Sequence, residues 1–487
     1  MPYVKGVDRN QLTLIPESID DYISDDNPVR VIDAYVEQLD IVALNFAFAK
    51  APGVGRPPYN PKVLLKLYLY GYLNRIRSSR RLEHETNRNF EVIWLLEKQH
   101  PDFKTIADFR KNNKQALKEI FKDFTNLCKK WGLFGKETVA IDGSKFRASN
   151  SKKNNYNKKK LERHQKYTNS KIARYLEELD QNDTLEHQDR KLSSEEINQR
   201  IEELKKRETR FDQLKQKLEA SGQNEISTID PDARLMSNGK GGVEVSYNVQ
   251  TTVDAKHKLI CDFEVINEAS DSGKLGQMAL RAKEILETDE LDALADKAYY
   301  ETTCLKTCAE NAIRPYVSKQ KRANSTGDAK YYAFRFCYDP EKDHYLCPNG
   351  DILTKSRTCK NRNKEILSYE YSNSKACQDC PVKNRCTKSK KGRTIFRSKE
   401  QDFLDSIDLK SKADFAKYNQ RQMIVEHPFG TIKRGWDAGY FLTRGTESVT
   451  TETALTYLAY NFRRVISILG VKEMVQRLQE RARPALV

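Results

Sequence analysis

Residues 138–144, Thr138-Val139-Ala140-Ile141-Asp142-Gly143-Ser144, form a short apolar run that stops at an acid and a glycine. A run of this length with β-branched residues predicts a buried strand rather than a helix. Leu291-Asp292-Ala293-Leu294-Ala295-Asp296 has the same form and also stops at an acid. The sequence therefore predicts two buried strands, one ending at Asp142 and the other at Asp296.

The segments around these strands supply the rest of a mixed sheet. The predicted elements are a hairpin of Val243–Val253 and Leu259–Ile266, a helix from Asp271 to about Leu286, a helix after Asp296 and a strand at Ile313–Val317. The order strand, two hairpin strands, helix, strand, helix, strand is that of an RNase H-like domain. By this analogy we expect an α/β fold with an RNase H-like core made of residues 136–320 and 400–470.

The charge balance favours a polyanionic partner. Lys and Arg number 85 against 69 Asp and Glu, a net charge of +16, and nucleic acid is the first candidate partner for such a chain. The chain shows no signal peptide and no long apolar span, so we expect a cytoplasmic protein with no membrane partner. Ten cysteines in 487 residues are too sparse for a disulfide framework.

Residues 1–135 are expected to form a helical domain. Asn60-Pro61 is a helix cap followed by proline at the first helical position, and apolar residues at helical spacing follow. A further single helix is predicted from Ile106 to Leu127. Arginines cluster at the end of the first helix and just beyond it: Arg75, Arg77, Arg80, Arg81 and Arg88. They form either a DNA-binding surface or only the solvated face of a helical bundle.

A polar insertion interrupts the core at residues 150–227. Ser193 and Glu196 form a capping box, and apolar residues then recur at heptad-like intervals from Ile197 to Leu218. We expect a coiled helical hairpin that turns near Asn182-Asp183. Its role is either dimerisation or DNA contact, or that of a protruding hairpin without chemistry.

Three acids are candidates for metal-dependent chemistry: Asp142, Asp296 and Glu426, the last on a late helix. Cleavage of a phosphodiester by two Mg²⁺ ions about 3.5–4 Å apart needs a few carboxylates that converge from rigid elements. Each acid also has an ordinary explanation, as a turn, a helix cap or a surface acid. Three neighbouring acids are assigned structural roles: Asp254 in a turn, Asp271 as a helix cap and Asp292 at the start of a strand.

Six of the ten cysteines lie in a second insertion, at residues 324–390, which has little apolar core of its own. Four thiolates can close a tetrahedral zinc site, and a Cys-x2-Cys pair supplies two of them from one turn. The predicted ligands are Cys347, Cys377, Cys380 and Cys386, with Cys337 and Cys359 as substitutes. An iron–sulfur cluster and four unliganded cysteines are the alternatives. The remaining four are expected in the core or on helices: Cys128, Cys261, Cys304 and Cys308.

Four segments carry a resemblance to a known family. They are Ile141-Asp142-Gly143-Ser144, Asp230-Pro231-Asp232-Ala233-Arg234, Ala295-Asp296-Lys297-Ala298-Tyr299 and Val425-Glu426-His427-Pro428-Phe429-Gly430-Thr431-Ile432-Lys433-Arg434. They resemble bacterial insertion-sequence DDE transposases, most of all the insertion sequence eleven-eighty-two family. Its members join an InsH-type helical N-terminal domain to an RNase H-like core of the retroviral-integrase superfamily. The resemblance runs from about Asp26 to Arg464.

The resemblance implies that Asp142, Asp296 and Glu426 hold two Mg²⁺ or Mn²⁺ ions. In related transposases the glutamate helix carries a Tyr, Arg, Glu, Lys signature with gaps of two, three and six residues. In this chain Tyr418, Arg421, Glu426 and Lys433 have gaps of two, four and six. The resemblance implies that Arg421 and Lys433 touch DNA phosphates, although the extra residue moves Arg421 about 100° around the helix relative to Glu426.

The implied activity is cleavage of double-stranded DNA at the terminal inverted repeats of an element and strand transfer into target DNA. Because two ends must be held together, a homodimer on DNA is expected, associated with the bacterial nucleoid. One alternative is an inactive or domesticated DNA-binding protein of the same fold. Another is a nuclease that cuts without joining.

Overall fold

The structure, a computed structural model, describes residues 18–50, 57–182, 192–238, 241–319 and 323–482. Its first part is helical, as predicted. The helices are α1 (Pro28–Glu37), α2 (Pro61–Leu73), α3 (Ser79–Arg88), α4 (Phe90–Leu95), α5 (Phe103–Asn112) and α6 (Lys114–Lys130). The predicted start of α2 is confirmed, because Pro61 is its first residue and the Asn60 side chain accepts a hydrogen bond from the Lys62 amide.

The single helix predicted from Ile106 to Leu127 is wrong, because the chain forms α5 and α6 with a break at Asn113. The Asn113 side chain accepts a 2.6 Å hydrogen bond from the Ala47 amide and donates one of 2.8 Å to the Phe109 carbonyl. The Asn113 side chain thus bonds both to the last turn of α5 and to the loop at Ala47, and so competes with the continuation of the helix.

The central sheet follows the predicted element order. Its six described strands are β1 (Thr138–Arg147), β4 (Arg234–Ser237), β5 (Val243–Asp254), β6 (Ile260–Ile266), β7 (Leu291–Ala295) and β8 (Ile313–Tyr316). Two short strands between β1 and β4 pair only with each other: β2 (Asn155–Asn157) and β3 (Glu225–Ser227). The order is β4-β5-β1-β7-β8, and β6 also pairs with β5. Strand β1 runs antiparallel to β5 and parallel to β7, and β7 runs parallel to β8. Helix α9 (Leu275–Leu286) precedes β7, and α10 (Thr302–Glu310) follows it.

Strand β1 does not stop at Asp142, as the sequence had predicted. It continues to Arg147 because β5 pairs with its whole length, with Asp142 opposite Thr251 and Arg147 opposite Ser246. The pair Asp142-Gly143 is therefore part of a strand, and the turn considered for it is wrong. Only the partner on the other side, β7, ends at the level of the acid.

The polar insertion forms a helical hairpin. Helices α7 (Lys158–Asn182) and α8 (Ser194–Ser221) pack against each other, and both halves of the predicted Ser193–Glu196 capping box are present. The predicted turn at Asp183 lies outside the described residues. Short strands β2 and β3 pair at the base of the hairpin, so the insertion leaves and returns at one place.

The cysteine-rich insertion forms a separate antiparallel sheet in the order β13-β12-β11-β10-β9. Its elements are β9 (Cys337–Asp339), β10 (His344–Leu346), β11 (Ile352–Lys360), β12 (Ile366–Ser372), α11 (Ser374–Gln378), α12 (Lys383–Cys386) and β13 (Thr394–Ser398). It has a small core of its own, which the sequence analysis had underestimated: Phe336, Tyr345, Leu353, Tyr371 and Ile395 are all buried. Strand β13 also lies beyond the predicted end at residue 390.

The chain closes with four helices, α13 (Gln401–Ala413), α14 (Phe415–Phe429), α15 (Thr446–Leu469) and α16 (Val471–Ala482), with a π-helical turn at Gly430–Gly435. Helix α15 packs against α2 and α6, so the N-terminal helices and the central sheet share one apolar core. Tyr35, Phe124 and Phe462 meet there with ring centroids 4.1–5.5 Å apart. Within the described residues, no helix is both long and apolar enough to cross a membrane.

Candidate active site

Asp142 and Asp296 meet where β7 ends beside β1. The last registered pair of these parallel strands is Ile141 with Ala295, so the two acids come next on adjacent strands. The Asp142 carboxylate accepts a 2.9 Å hydrogen bond from the Gly143 amide. The Asp296 carboxylate accepts one of 2.7 Å from the Ala298 amide and so also caps the short 3₁₀ turn that follows. The cap explanation and the site prediction therefore both apply to Asp296.

The surroundings of Asp142 are unfavourable for a negative charge. Burial raises the pKa of its carboxyl to about 7, and the nearby Asp296 and Asp271 carboxylates add to this rise, against the Gly143 amide and Arg421. In the described part of the chain, no Lys, Arg or His forms an ion pair with Asp142, Asp271 or Asp296. Two neighbouring oxygen donors that lack a cation are a suitable pair of ligands for a divalent metal.

Asp271 lies beside this pair, and its predicted role as a helix cap is wrong. Helix α9 begins at Leu275 without a side-chain cap. Instead, one oxygen of Asp271 accepts 2.7 Å hydrogen bonds from the side-chain amides of Asn248 and Gln250 on β5. A Cβ added to Gly143 would lie 2.2 Å from that oxygen, so Asp271 covers the strand next to Asp142.

A signal for this polar cluster was present in the sequence. Along β5, the polar side chains Ser246, Asn248, Gln250 and Thr252 alternate with Val245, Tyr247, Val249 and Thr251. Both sets are buried, which an ordinary half-exposed strand would not show. Because buried amides need partners, this alternation predicts a polar site under one face of the sheet.

Helix α14 carries Glu426 along the same strands. Lys417, near its start, forms an ion pair with the buried Asp292 of β7. Beyond its end, Lys433 donates a 2.6 Å hydrogen bond to the Lys145 carbonyl of β1. Helix α14, which carries Glu426, thus packs against the strands that carry or lead to the two aspartates.

The side chain of Glu426 is not gathered into the site, however. It is exposed, and its carboxylate accepts a 2.8 Å hydrogen bond from Gln422 one turn earlier. Across the described residues, no three His, Cys, Asp or Glu side chains are arranged to hold a metal ion. Two of the three predicted acids are thus together, and the carboxylate of the third is bonded to Gln422 instead.

The two predicted phosphate contacts on this segment differ from expectation. Lys433, which matched the family spacing, lies over the Phe146 ring at 4.3 Å, and burial lowers its pKa to about 8 although Asp142 opposes this. Arg421 stacks on Tyr418 at 4.6 Å, and its charge favours the ionised form of Asp142. Its buried Nε has no hydrogen-bond partner. Both cations thus lie within electrostatic reach of Asp142, but Lys433 is also bonded within the protein, to the Lys145 carbonyl.

The N-terminal arginines also separate into two groups. Arg77 is mostly buried and bonds internally, to the Tyr440 carbonyl at 2.7 Å and to the buried Glu452 at 3.4 Å, so its guanidinium is engaged in packing. The others are exposed: Arg75, Arg80 and Arg81. Arg88 pairs with Glu85 on its own helix.

The four predicted zinc ligands line one small cavity in the second sheet: Cys347, Cys377, Cys380 and Cys386. Burial raises the pKa of Cys386 to about 11, and the other three sulfurs contribute to the rise. Gly392 approaches so closely that a Cβ there would lie 2.9 Å from the Cys377 sulfur. This donor set suits zinc, although the sulfurs do not stand at ligand geometry. The substitutes Cys337 and Cys359 do not line the cavity. The predicted core cysteines are buried: Cys128, Cys261, Cys304 and Cys308.

Comparisons with known proteins agree with the resemblance seen in the sequence. Residues 17–112 match the family model of a transposase domain, DUF772, and residues 346–466 match that of a transposase DDE domain. Asp142 and Asp296 lie between the two matches, and Glu426 lies within the second. No curated protein matches the chain.

Among solved structures, a cryo-EM structure of the piggyBac transposase synaptic complex with hairpin DNA is similar at 8% sequence identity, over 94% of this chain and 79% of that chain, with a TM-score of 0.33. A likeness this low carries no argument about the fold. The two domain matches, one on each side of the paired aspartates, support a DNA transposase function of the DDE class.

Proposed function

We propose that this transposase cleaves DNA at the ends of its element and joins those ends to target DNA, with divalent cations held by Asp142, Asp296 and Glu426. The observation that carries the proposal is the pair of adjacent aspartates, which forms no ion pair within the described residues and in which burial raises the pKa of Asp142 to about 7. The sheet order, with β1 between an antiparallel hairpin and parallel β7, supports an RNase H-like core.

Each residue has a defined task in this proposal. The Asp142 and Asp296 carboxylates provide oxygen ligands from two adjacent strands. Glu426 supplies a third carboxylate ligand once its hydrogen bond to Gln422 is broken. Arg421 contacts the phosphate next to the cut. Bound Mg²⁺ or Mn²⁺ ions would lower the pKa of the attacking water or 3′-hydroxyl and stabilise the leaving oxygen. No covalent bond between protein and DNA is needed, because water and then a 3′-hydroxyl attack phosphorus directly.

The other parts of the chain would hold DNA. We assign recognition of the inverted repeats to the helices of residues 1–135, through the exposed Arg75, Arg80 and Arg81. The insertions at 150–227 and 324–390 extend the core formed by residues 136–320 and 400–470. A homodimer would hold the two element ends together. These arginines can contact phosphates, because within the described residues none of them forms an ion pair with an acid; Arg80 stacks on the Phe103 ring at 4.3 Å.

The test is cutting by the purified chain of DNA that carries its element ends, with Mg²⁺ or Mn²⁺. Asp142→Asn and Glu426→Gln should each reduce cutting and joining by at least about 100-fold, the scale on which charge-stabilising groups contribute. Asp289→Asn, an exposed acid just before β7, is the matched control and should retain activity. Binding of the ends without cutting by the unmodified chain would instead indicate an inactive DNA-binding protein.

We also propose that Cys347, Cys377, Cys380 and Cys386 hold a structural Zn²⁺. Chelation should release one zinc per chain and raise the proteolytic sensitivity of the second sheet, because the metal ties its strands to α11 and α12. Cys377→Ser should show the same sensitivity without chelator, and Cys359→Ser should not. A chain that has lost its zinc and yet resists proteolysis as well as the untreated chain would contradict the site.

A further inference from the structure

The helical hairpin of α7 and α8 has its charges separated along its length. The half next to β2 and β3, residues 158–171 and 204–221, which we call the basic base, has twelve Lys or Arg against four Asp or Glu. The other half, residues 172–182 and 194–203, which we call the acidic tip, has two Arg against seven acids. A hairpin that needs only to be solvated would mix the two signs, because like charges on one helix surface repel each other.

The contacts between the two helices bring their basic segments side by side. The rings of His164 and Phe211 stack with their centroids 5.1 Å apart. Nearer the turn of the hairpin, the Arg200 guanidinium donates a 3.4 Å hydrogen bond to the Tyr175 hydroxyl. Helix α7 advances and α8 returns by the same number of residues between these contacts, so the register of the pair is constant. Residues 158–171 therefore lie beside residues 204–217.

Most cations of the basic base are exposed, and acids do not neutralise them. Nine of the twelve are exposed, and the one ion pair among the described residues of the hairpin, Arg174 with Glu178, lies in the acidic tip. Arg163 of α7 and Arg207 of α8 converge on His164. Burial lowers the pKa of this histidine, and nearby cations, Arg163 and Arg207 among them, lower it further. Two arginines from different helices thus form one positive patch.

The root of the hairpin is fixed to the central sheet. Arg147 of β1 and Arg234 of β4 both pair with Ser246 of β5, so they stand in one row across the sheet. The chain enters the hairpin after Arg147 and returns from it before Arg234. Between them, the Asn150 side chain donates a 2.7 Å hydrogen bond to the Ser227 hydroxyl. The two ends of the insertion are therefore held together at the β4 edge of the sheet.

This root lies near the paired aspartates. Five residues of β1 separate Arg147 from Asp142, an advance of about 17 Å along the strand. A full turn of B-DNA is about 34–36 Å long. A duplex held at Asp142 therefore needs to extend by only about half a turn to reach the root of the hairpin.

We propose that the basic base of the hairpin is a second DNA-binding surface, which holds the phosphates of duplex DNA next to the cut. In placing that DNA at Asp142 and Asp296, the inference rests on the proposed function. Lys and Arg neutralise phosphates and release the counterions condensed on a duplex. The acidic tip of a second copy is a poorer match, because its excess of acids is smaller than the excess of cations in the base.

The experiment measures binding of the full chain to two labelled duplexes of equal length, one with the element end and one of unrelated sequence. Salt is varied, and Mg²⁺ and Mn²⁺ are left out. The base variant, Arg163→Gln with Arg207→Gln, should bind both duplexes at least about tenfold more weakly. The slope of log affinity against log salt should become shallower by about two, because each phosphate contact contributes about 0.9 to it.

Arg174→Gln with Arg200→Gln is the matched control. It removes the same number of exposed arginines, one from each helix, but from the acidic tip. Its affinity should stay within about twofold of the parent, because charges beyond a Debye length from the DNA are screened. Equal affinity and equal slope in the base and tip variants would overturn the inference.

Arg163→Lys with Arg207→Lys keeps both charges, so it should bind much more tightly than the glutamine pair; affinity as low as that pair would overturn a role for charge. Thermal unfolding shows whether each variant has folded. If the glutamine pair does not fold, Lys159→Gln with Lys206→Gln takes its place, since both lysines are exposed in the same base.

Two further readouts separate the alternatives. A base variant that binds DNA like the parent but no longer self-associates in sedimentation would assign the base to a second copy of the chain and overturn the inference. Cutting is measured separately with Mg²⁺. A parent that binds through the base but does not cut would remove the proposed function and leave the DNA surface. A parent that cuts, with base and tip variants that bind alike, would remove only the surface.

Discussion

Asp292 lies within β7 and Asp296 directly follows its last residue, and these two acids differ in their partners. Asp292, four residues before Asp296, is almost fully buried and is paired with both Arg314 of β8 and Lys417 of α14. Within the residues that the structure describes, Asp296 forms no ion pair, and neither does the neighbouring Asp142. The charge of Asp292 is neutralised by these cations, and its ion pair with Lys417 holds α14 on the sheet. The end of the strand at Asp296 is left with excess negative charge. The same residue type on one strand thus serves packing at one end and, in our proposal, metal binding at the other.

The largest loss of stability should come from removing the charge of Asp292. Asp292→Asn leaves the Arg314 and Lys417 cations beside a buried amide, and we expect it to lower the free energy of unfolding by about 3–4 kcal/mol. Asp296→Asn, at the other end of the strand, should change it by less than about 1 kcal/mol. Urea denaturation of the two variants measures the difference. Equal losses would mean that the two ends of β7 do not differ in the way proposed.

Asp142→Asn should stabilise the metal-free chain. The pKa of Asp142 is raised from an ordinary value near 4 to about 7, so the folded chain takes up a proton that the unfolded chain does not hold between these pH values. Stability therefore falls as the pH rises through this window and stays reduced above it. At pH 8 the variant should be more stable by about 2–3 kcal/mol, and at pH 4 it should match the parent.

Thermal melts at the two pH values test this expectation, with and without Mg²⁺. The metal should raise the melting temperature of the parent and leave that of Asp142→Asn unchanged, because the variant lacks the charge that binds it. An advantage for Asp142→Asn that is the same at pH 4 and pH 8 would show that ionisation of Asp142 is not the cause.

A smaller loss is expected from Gly143→Ala. The added methyl would meet the Asp271 oxygen at 2.2 Å and the Gln250 amide at 2.4 Å, so the network over β1 must shift. We expect a loss of about 1–2 kcal/mol in the free energy of unfolding, measured by urea denaturation. Gly430→Ala is the matched control, because a Cβ there meets nothing within 4 Å. Equal stability of the two variants would argue that the network has room for the methyl.

Glu426→Gln should have the smallest effect on stability. Its carboxylate is exposed and bonds only to Gln422 in the described contacts, so the change should stay within about 0.5 kcal/mol. Cleavage should nevertheless be lost. Urea denaturation beside the cleavage assay measures both. A large loss of stability would show that Glu426 serves packing, like Asp292.

Local patterns account for what the sequence predicted well. The start of α2 at Asn60-Pro61, the capping box of α8 and the β5–β6 hairpin depend on residues a few positions apart, and all three are confirmed. The pairing of Asp142 with Asp296 needed only the element order and an analogy of fold.

The errors involve partners distant in the chain. Strand β1 is longer than predicted because β5, about a hundred residues later, pairs with it beyond Asp142. Asp-Ser before an apolar run has the local form of a helix N-cap, but the hydrogen-bond partners of Asp271 lie on β5. Arg77 was grouped with exposed arginines, since nothing near it in the sequence shows the buried Glu452 that accepts its charge. The orientation of the Glu426 carboxylate depends likewise on how α14 lies on the sheet.

The aromatic contact of Tyr35 and Phe124 with Phe462 joins the first and last parts of the chain. The regions that match two different transposase domains are therefore not modules connected by a linker. Neither could be excised without exposing these rings to water, so the N-terminal helices and the central sheet depend on one shared core. Any DNA bound by the N-terminal helices would be held at a fixed distance from the paired aspartates, and the site of the cut would be set by protein packing rather than by a flexible tether.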